Sequence, residues 1–249
     1  MTQIPSSSPP EMSVALKERD AWWTVLVIDP LAMRVLPALL RRPGVTPMRL
    51  TATAALLGVA STVLFAAGQL VAAAICFELR FFVDCLDGKL ARLRRLASPR
   101  GAYFDFGCDV VLIGSNYAAL GWYLTEYRGV PLWLPLTVVV LSLVLFWFQV
   151  YHQWFPPPSP TEAPGAGMFV PARTGLFTRW RTLLARRRLV YAPRTVEVET
   201  LVLFIAPLTG LTSLLAVSLG IAAVFYAVVT TRLAVLVYLH VPASAPGNG

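Results

Sequence analysis

Charged side chains are scarce in this chain, and lysine, histidine and cysteine are rarer still. Asp, Glu, Lys and Arg make up 14% of the 249 residues, whereas 57% are hydrophobic, which excludes an ordinary soluble globular domain. The cysteines Cys76, Cys85 and Cys108 are odd in number and scattered, which excludes a disulfide framework and a metal-site spacing and indicates small packing residues. Arg outnumbers Lys 19 to 2, a bias associated with GC-rich bacterial genomes.

Long apolar runs make up much of the chain. They predict an all-α, polytopic membrane protein with six transmembrane helices, preceded by an N-terminal interfacial amphipathic helix. The predicted spans are 48–68, 70–93, 101–124, 131–153, 197–216 and 219–239.

Composition also predicts how the chain is divided. Residues 1–13 are rich in Ser and Pro and predict a disordered N-terminus, followed by an interfacial helix region at 14–45 that is broken near Pro30. The membrane domain is predicted at 46–241, with a flexible loop at 156–167 inside it. Residues 242–249 are predicted to be a flexible tail.

The basic residues predict the orientation in the membrane. The net charge of +8 lies between apolar runs, which favours membrane topology and anionic headgroups over nucleic acid as the partner. Only Arg128 falls in a predicted outer loop, and Arg80 lies within a span. The positive-inside rule therefore predicts cytoplasmic N- and C-termini. The Arg-rich composition is associated with a bacterial source, for which the expected location is the inner membrane.

The most polar stretch of the chain runs from Asp84 to Asp109 and has the pattern D-x2-D-G-x2-A-R-x8-G-x3-D-x3-D. On a helix, the first five of these fixed residues share one face, and Asp105 and Asp109 share another. Turn residues at 98–101, including Pro99, predict a break between two helices. Two helices joined there would point four carboxylates into one site.

Four clustered carboxylates require cations, because like charges repel in a poorly hydrated place. Oxygen ligands without His or Cys favour Mg²⁺ or Mn²⁺ over Zn²⁺. One or two such ions would hold a diphosphate and leave a carboxylate as a general base. The alternative is a set of solvated charges at a helix end that form salt bridges with nearby arginines.

This stretch resembles the CDP-alcohol phosphotransferase family, whose pattern it matches at every fixed position and spacing. The resemblance implies a metal-dependent integral membrane enzyme, usually a homodimer, that cleaves a CDP-linked substrate at a cytoplasmic site and releases CMP. It implies a pair of metal ions and a role for Asp109 in deprotonating the acceptor hydroxyl. The implied metal ligands are Asp84, Asp87, Asp105 and Asp109.

The resemblance also implies a nucleotide site. The residues implied to contact the CDP part are Gly88, Ala91, Arg92 and Gly101 and, as a further candidate, Ser98. One departure from the family concerns Met48, which stands where members often have Asn and removes a side-chain amide contact near the nucleotide.

The substrates stay open between two branches of this family. In one branch CDP-diacylglycerol gives its phosphatidyl group to a small polar alcohol; in the other, CDP-choline or CDP-ethanolamine reacts with diacylglycerol. The short chain favours the first branch, although the stretch from Phe104 to Asp109 is similar to the second. Within the first branch, Val110 weakens the case for an inositol-phosphate acceptor. Candidates for binding an acceptor phosphate are Arg173, Arg179, Arg187 and Arg194.

Other functional classes compete with the enzyme. Glu197 and Glu199 are predicted either to reach the pocket or to cap the fifth span. A small cation transporter would use intramembrane carboxylates, but it would not need the glycines, alanine and arginine at these offsets. A membrane scaffold that has lost activity would not need to retain all four Asp.

Overall fold

The computed structural model describes residues 12–154, 182–190 and 192–240, and these residues are almost entirely helical. The first helix opens with a π-helical turn, Thr24–Ile28, and continues as α1, Asp29–Leu40. The other helices are α2, Pro47–Ala66; α3, Leu70–Leu93; α4, Pro99–Arg128; α5, Trp133–Trp154; α6, Thr195–Thr200, followed by a π-helical turn, Leu201–Ile205; α7, Ala206–Thr209; and α8, Thr212–His240. The predicted all-α class is confirmed.

Two of the helices begin at an N-cap followed by proline. Thr46 accepts a hydrogen bond from the Arg49 N–H at the start of α2, and Ser98 accepts one from the Gly101 N–H at the start of α4. The helix α4 therefore begins two residues before the predicted third span at about 101–124 and contains all of it. Pro99 occupies the first helical position, where the missing N–H costs nothing, so it begins the helix instead of interrupting it.

Glycine turns connect the helices on the side away from the motif. Gly68 has φ +74° between α2 and α3, and an added Cβ would clash with the Tyr123 ring. Gly210, with φ +65°, separates α7 from α8. The predicted turn between spans five and six, at 216–219, was wrong, because the left-handed Gly210 ends α7 while Ser218 lies inside α8 and bonds to the Leu215 carbonyl.

The helices pack around one apolar core. The helix α2 lies against α3 and α4, and α5 lies between α4 and α8. Phe65, Phe77 and Leu120 are among its buried side chains. Polar pairs link the same helices, since the Tyr117 and Tyr226 hydroxyls lie 3.1 Å apart between α4 and α8.

Within the part of the chain that the structure describes, three helices are long and apolar enough to cross a membrane: Pro47–Ala66, Trp133–Val150 and Thr212–Val235. Their outward faces carry exposed aliphatic side chains, among them Val59, Val140 and Val224. The helices α3 and α4 are also long, but they contain the charged motif. The prediction of six spans therefore goes beyond the three that length and composition support.

The N-terminal region departs from its prediction at Pro30. The helix runs on from Thr24 to Leu40 without a break, because the hydrogen-bond register changes just before the proline. The Asp29 N–H donates to the Thr24 carbonyl in this wider turn. Residues 1–11 and 242–249 and the loop at 156–167 lie outside the described residues, while residues 12–13 form helical backbone.

Candidate metal and nucleotide site

Three of the four motif carboxylates converge. Asp84 and Asp87 lie on α3, and Asp105 lies in the second turn of α4, which turns back after the short link 94–98. One ligand oxygen from each residue lies within 4.8 Å of the others. This is the group that the pattern of the motif predicts, with one member missing.

The donor set of this group suits a hard divalent cation. All its ligands are carboxylate oxygens, which Mg²⁺ and Mn²⁺ prefer. Asp105 Oδ1 is buried and has no hydrogen-bond partner among the described residues, so one lone-pair site lacks a protein donor. Three close negative charges with an unsatisfied oxygen fit a metal ion better than a solvated helix end.

Asp109 lies one helical turn further along α4 and does not join this group among the described residues. Its carboxylate instead forms an ion pair with Arg80 of α3, whose side chain is only 2% exposed. Arg80 also lies over the Phe77 ring, with the guanidinium carbon 5.8 Å from the ring centroid. The role of Asp109 as metal ligand and base therefore stays a prediction.

A cleft of about 580 Å³ opens beside the carboxylates, between the starts of α2 and α4 and the end of α3. It is lined by every residue implied to contact the CDP part: Gly88, Ala91, Arg92, Ser98 and Gly101. Asp87, Asp105 and Met48 also line it. The arrangement can place a bound phosphate beside the carboxylates while a nucleoside fills the space against the small residues.

Comparison with known proteins identifies the family. The family model for CDP-alcohol phosphatidyltransferases matches residues 44–233. The chain belongs to that family. The family is membrane-integral and metal-dependent, and its members transfer substituted phosphate groups. No curated protein matches the chain by sequence.

Solved structures of one family member share the fold. Phosphatidylinositol phosphate synthase of Mycobacterium tuberculosis with CDP-DAG bound is 20% identical, and the match covers 90% of this chain and 99% of that chain with a TM-score of 0.61. The same synthase in complex with manganese and citrate is 22% identical, with coverage of 90% and 96% and a TM-score of 0.61. Its apo form is 20% identical, with coverage of 88% and 100% and a TM-score of 0.58.

Thr51 is a site residue that the sequence analysis missed. It lies on α2, and its hydroxyl donates to Asp87 Oδ2 at 2.7 Å. A hydrogen bond of this kind orients a metal-binding carboxylate. The available signal is its position four residues after Pro47, the first residue of α2. On a helix this spacing places both residues on one face, which here is the face toward the motif.

Replacing Thr51 with Val is expected to weaken apparent Mn²⁺ affinity about tenfold, because Asp87 loses the donor that orients it. The measurement is enzyme activity as a function of Mn²⁺ concentration. Thr53→Val is the matched control, since the Thr53 hydroxyl is exposed and bonds to the Arg49 carbonyl of its own helix. Equal Mn²⁺ dependence in the two variants would contradict the orienting role.

The acceptor-phosphate candidates are only partly described. Arg173 and Arg179 lie outside the described residues, while Arg187 and Arg194 are exposed and do not line the cleft. The Arg194 N–H donates to Glu197 Oε2 at 2.7 Å, so Glu197 caps α6. Glu199 is 5% exposed, near the charge of Arg80, and it does not line the cleft.

Proposed function

We propose that this protein transfers the phosphatidyl group of CDP-diacylglycerol to a small polar alcohol and releases CMP, as a step of phospholipid biosynthesis. The observation that carries the proposal is the cleft, in which the implied nucleotide-contacting residues adjoin the carboxylate group. The CDP-DAG bound to the structurally similar synthase supports the choice of donor.

In this proposal Asp84, Asp87 and Asp105 hold Mg²⁺ or Mn²⁺, with Asp109 as a fourth ligand to a pair of ions. The ions would neutralise the diphosphate and stabilise charge on the leaving CMP. Asp109 would accept the proton of the acceptor hydroxyl, and its ion pair with Arg80 holds that carboxylate in place. Gly88 and Gly101 leave room for the nucleotide, because no side chain projects from either into the cleft.

The proposed setting is a bacterial inner membrane, in which the chain forms six spans and a homodimer. Both termini and the site would face the cytoplasm, as the distribution of Arg and Lys supports. The N-terminal helix would lie at the interface, since its exposed residues Leu26, Leu31 and Val35 present an apolar strip. Arg173, Arg179, Arg187 and Arg194 remain the proposed contacts for an acceptor phosphate.

The test is CMP release by the purified protein in lipid micelles that contain CDP-diacylglycerol and Mn²⁺ or Mg²⁺. A panel of glycerol phosphate, inositol phosphate and serine is expected to contain one acceptor that supports release. Addition of EDTA is expected to abolish the release, and excess metal should restore it. Release only from CDP-choline or CDP-ethanolamine with diacylglycerol would move the protein to the other branch, and no release from any donor would favour an inactive scaffold.

A further inference from the structure

The N-terminal segment 12–20, called the strap below, lies against the cleft although it precedes the matched family region at 44–233. It consists of a helical turn and an irregular stretch that ends at Asp20. Ala15 is fully buried against Leu86 and Leu90 of α3. The strap is therefore packed onto the motif helix.

Two arginines fix the backbone of the strap. Arg92 donates from Nε and Nη2 to the Ala15 carbonyl at 3.0 and 2.8 Å. Arg188 donates in the same forked way to the Lys17 carbonyl, at 3.0 and 2.8 Å. Each guanidinium thus uses two donors on one strap carbonyl, a geometry that determines where the chain between them runs.

The anchor on the Arg188 side is itself held in place. Asp20 pairs with the backbone beside Leu189, with the Asp20 N–H donating to the Arg188 carbonyl at 2.9 Å. Asp29 of α1 is buried and lies 3.1 Å from Arg188 Nη1 and 3.0 Å from Lys89 Nζ. Lys89 follows Gly88 in the motif, so this ion network links the strap anchor to the helix that carries the carboxylates.

The side chain of Lys17 projects from the strap into the wall of the cleft. It is 59% exposed, and its nearest carboxylate partner on the strap, Asp20, is 3.9 Å away. Lys17 lines the same cleft as Asp87 and Asp105, so its ammonium group shares this space with two of the motif carboxylates. A mobile cation with a long stem is therefore positioned beside the place where a phosphate would meet the carboxylate group.

We infer that Lys17 binds the diphosphate of the CDP-linked donor and that the strap is part of the donor site. Arg92 and Arg188 act as positioning residues, because they hold the carbonyls on either side of the Lys17 side chain. This inference rests on the proposed function. It adds to the site a residue outside the family region, and it assigns at least two of the Arg92 donors to the strap.

Lys17→Ala is expected to raise KM for CDP-diacylglycerol about tenfold with a smaller change in kcat, since a hydrogen bond between charged groups is lost. Direct binding of radiolabelled CDP-diacylglycerol, measured by scintillation proximity, should weaken by a similar factor. Lys17→Glu should weaken binding further because it adds a negative charge near Asp87 and Asp105, and Lys17→Arg should retain most of the affinity.

Arg19→Ala is the matched control, because Arg19 is an exposed cation on the same strap that does not line the cleft. It is expected to leave KM and binding unchanged. Wild-type release of CMP combined with equal donor affinity in Lys17→Ala and Arg19→Ala would overturn the inference and leave the proposed function intact. Absence of CMP release from the wild type would instead remove the proposed function.

A double-mutant cycle separates positioning from general destabilisation. If Arg188 acts by holding the strap, Lys17→Ala should have little further effect on donor KM in an Arg188→Ala background. Arg188→Lys should restore part of the Lys17 effect, because one donor to the Lys17 carbonyl is regained. A full tenfold effect of Lys17→Ala in the Arg188→Ala background would contradict the positioning role.

Discussion

Asp105→Asn is expected to lower kcat for CMP release on the order of 1,000-fold, corresponding to about 4 kcal/mol of transition-state stabilisation. The amide removes one negative charge from a group whose ligand oxygens lie within 4.8 Å of one another. The substitution also replaces the carboxylate, whose buried Oδ1 has no hydrogen-bond partner among the described residues, with a neutral amide that is a weaker metal ligand. Stability should change little, because removing one of three repelling charges costs the folded state nothing.

The matched control is Glu126→Gln, which makes the same charge change on the same helix. Glu126 is exposed near the far end of α4, away from the cleft. The kcat of Glu126→Gln is expected to equal that of the wild type, and Glu126→Gln and Asp105→Asn should unfold at similar temperatures. Near-normal turnover in Asp105→Asn would contradict the assignment of the carboxylate group as the metal site.

Asp109→Ala is expected to cost roughly 3 kcal/mol in the free energy of unfolding, in addition to any loss of turnover. The reason is Arg80, which is 2% exposed and would keep a buried charge without its carboxylate partner. Unfolding in mixed micelles, followed by intrinsic fluorescence, measures this cost. Asp105→Asn should not show it, so the two variants separate a metal ligand from a member of a buried ion pair.

A second substitution tests the cause of this destabilisation. Arg80→Leu combined with Asp109→Ala removes both charges, and an apolar replacement of a buried pair is often neutral or stabilising. The double variant is expected to regain most of the lost stability while turnover stays low, because the proposed base is still missing. An equal loss of stability in the single and double variants would show that the ion pair is not the cause.

The helical periodicity of the motif explains why much of the site was predictable. The offsets between Asp84 and Arg92 put the first half of the motif on one face, and the structure places four of these residues along the cleft and Asp84 in the carboxylate group. The second span was predicted at 70–93, and α3 occupies the same residues. Local rules suffice here because both the face and the helix length depend on neighbours a few residues apart.

The partners of these side chains were less predictable, because they come from distant segments. Glu78 accepts a hydrogen bond from Trp23 Nε1 at 2.8 Å, and Arg80 pairs with Asp109 of another helix. Periodicity gives the direction in which a side chain points, and it does not say which helix lies opposite. Thr51 was missed for the same reason.

The N-terminal region shows a further limit of composition. Composition predicts a disordered N-terminus at 1–13 and an interfacial helix region at 14–45. The backbone of residues 12–20 is instead held by hydrogen bonds from the Arg92 and Arg188 side chains. These contacts join positions more than 70 residues apart in the chain. They involve backbone carbonyl groups, which every residue has, so no side-chain pattern in the strap predicts them.

Mn²⁺ binding followed by electron paramagnetic resonance tests the central claim most directly. Purified wild-type protein is expected to bind Mn²⁺, and addition of CDP-diacylglycerol should change the spectrum of the bound ion as the diphosphate approaches it. Asp105→Asn should lose most of this binding, and Glu126→Gln should keep it. Mn²⁺ binding that is unchanged by Asp105→Asn and insensitive to CDP-diacylglycerol would contradict a metal-dependent phosphatidyl transfer at this cleft.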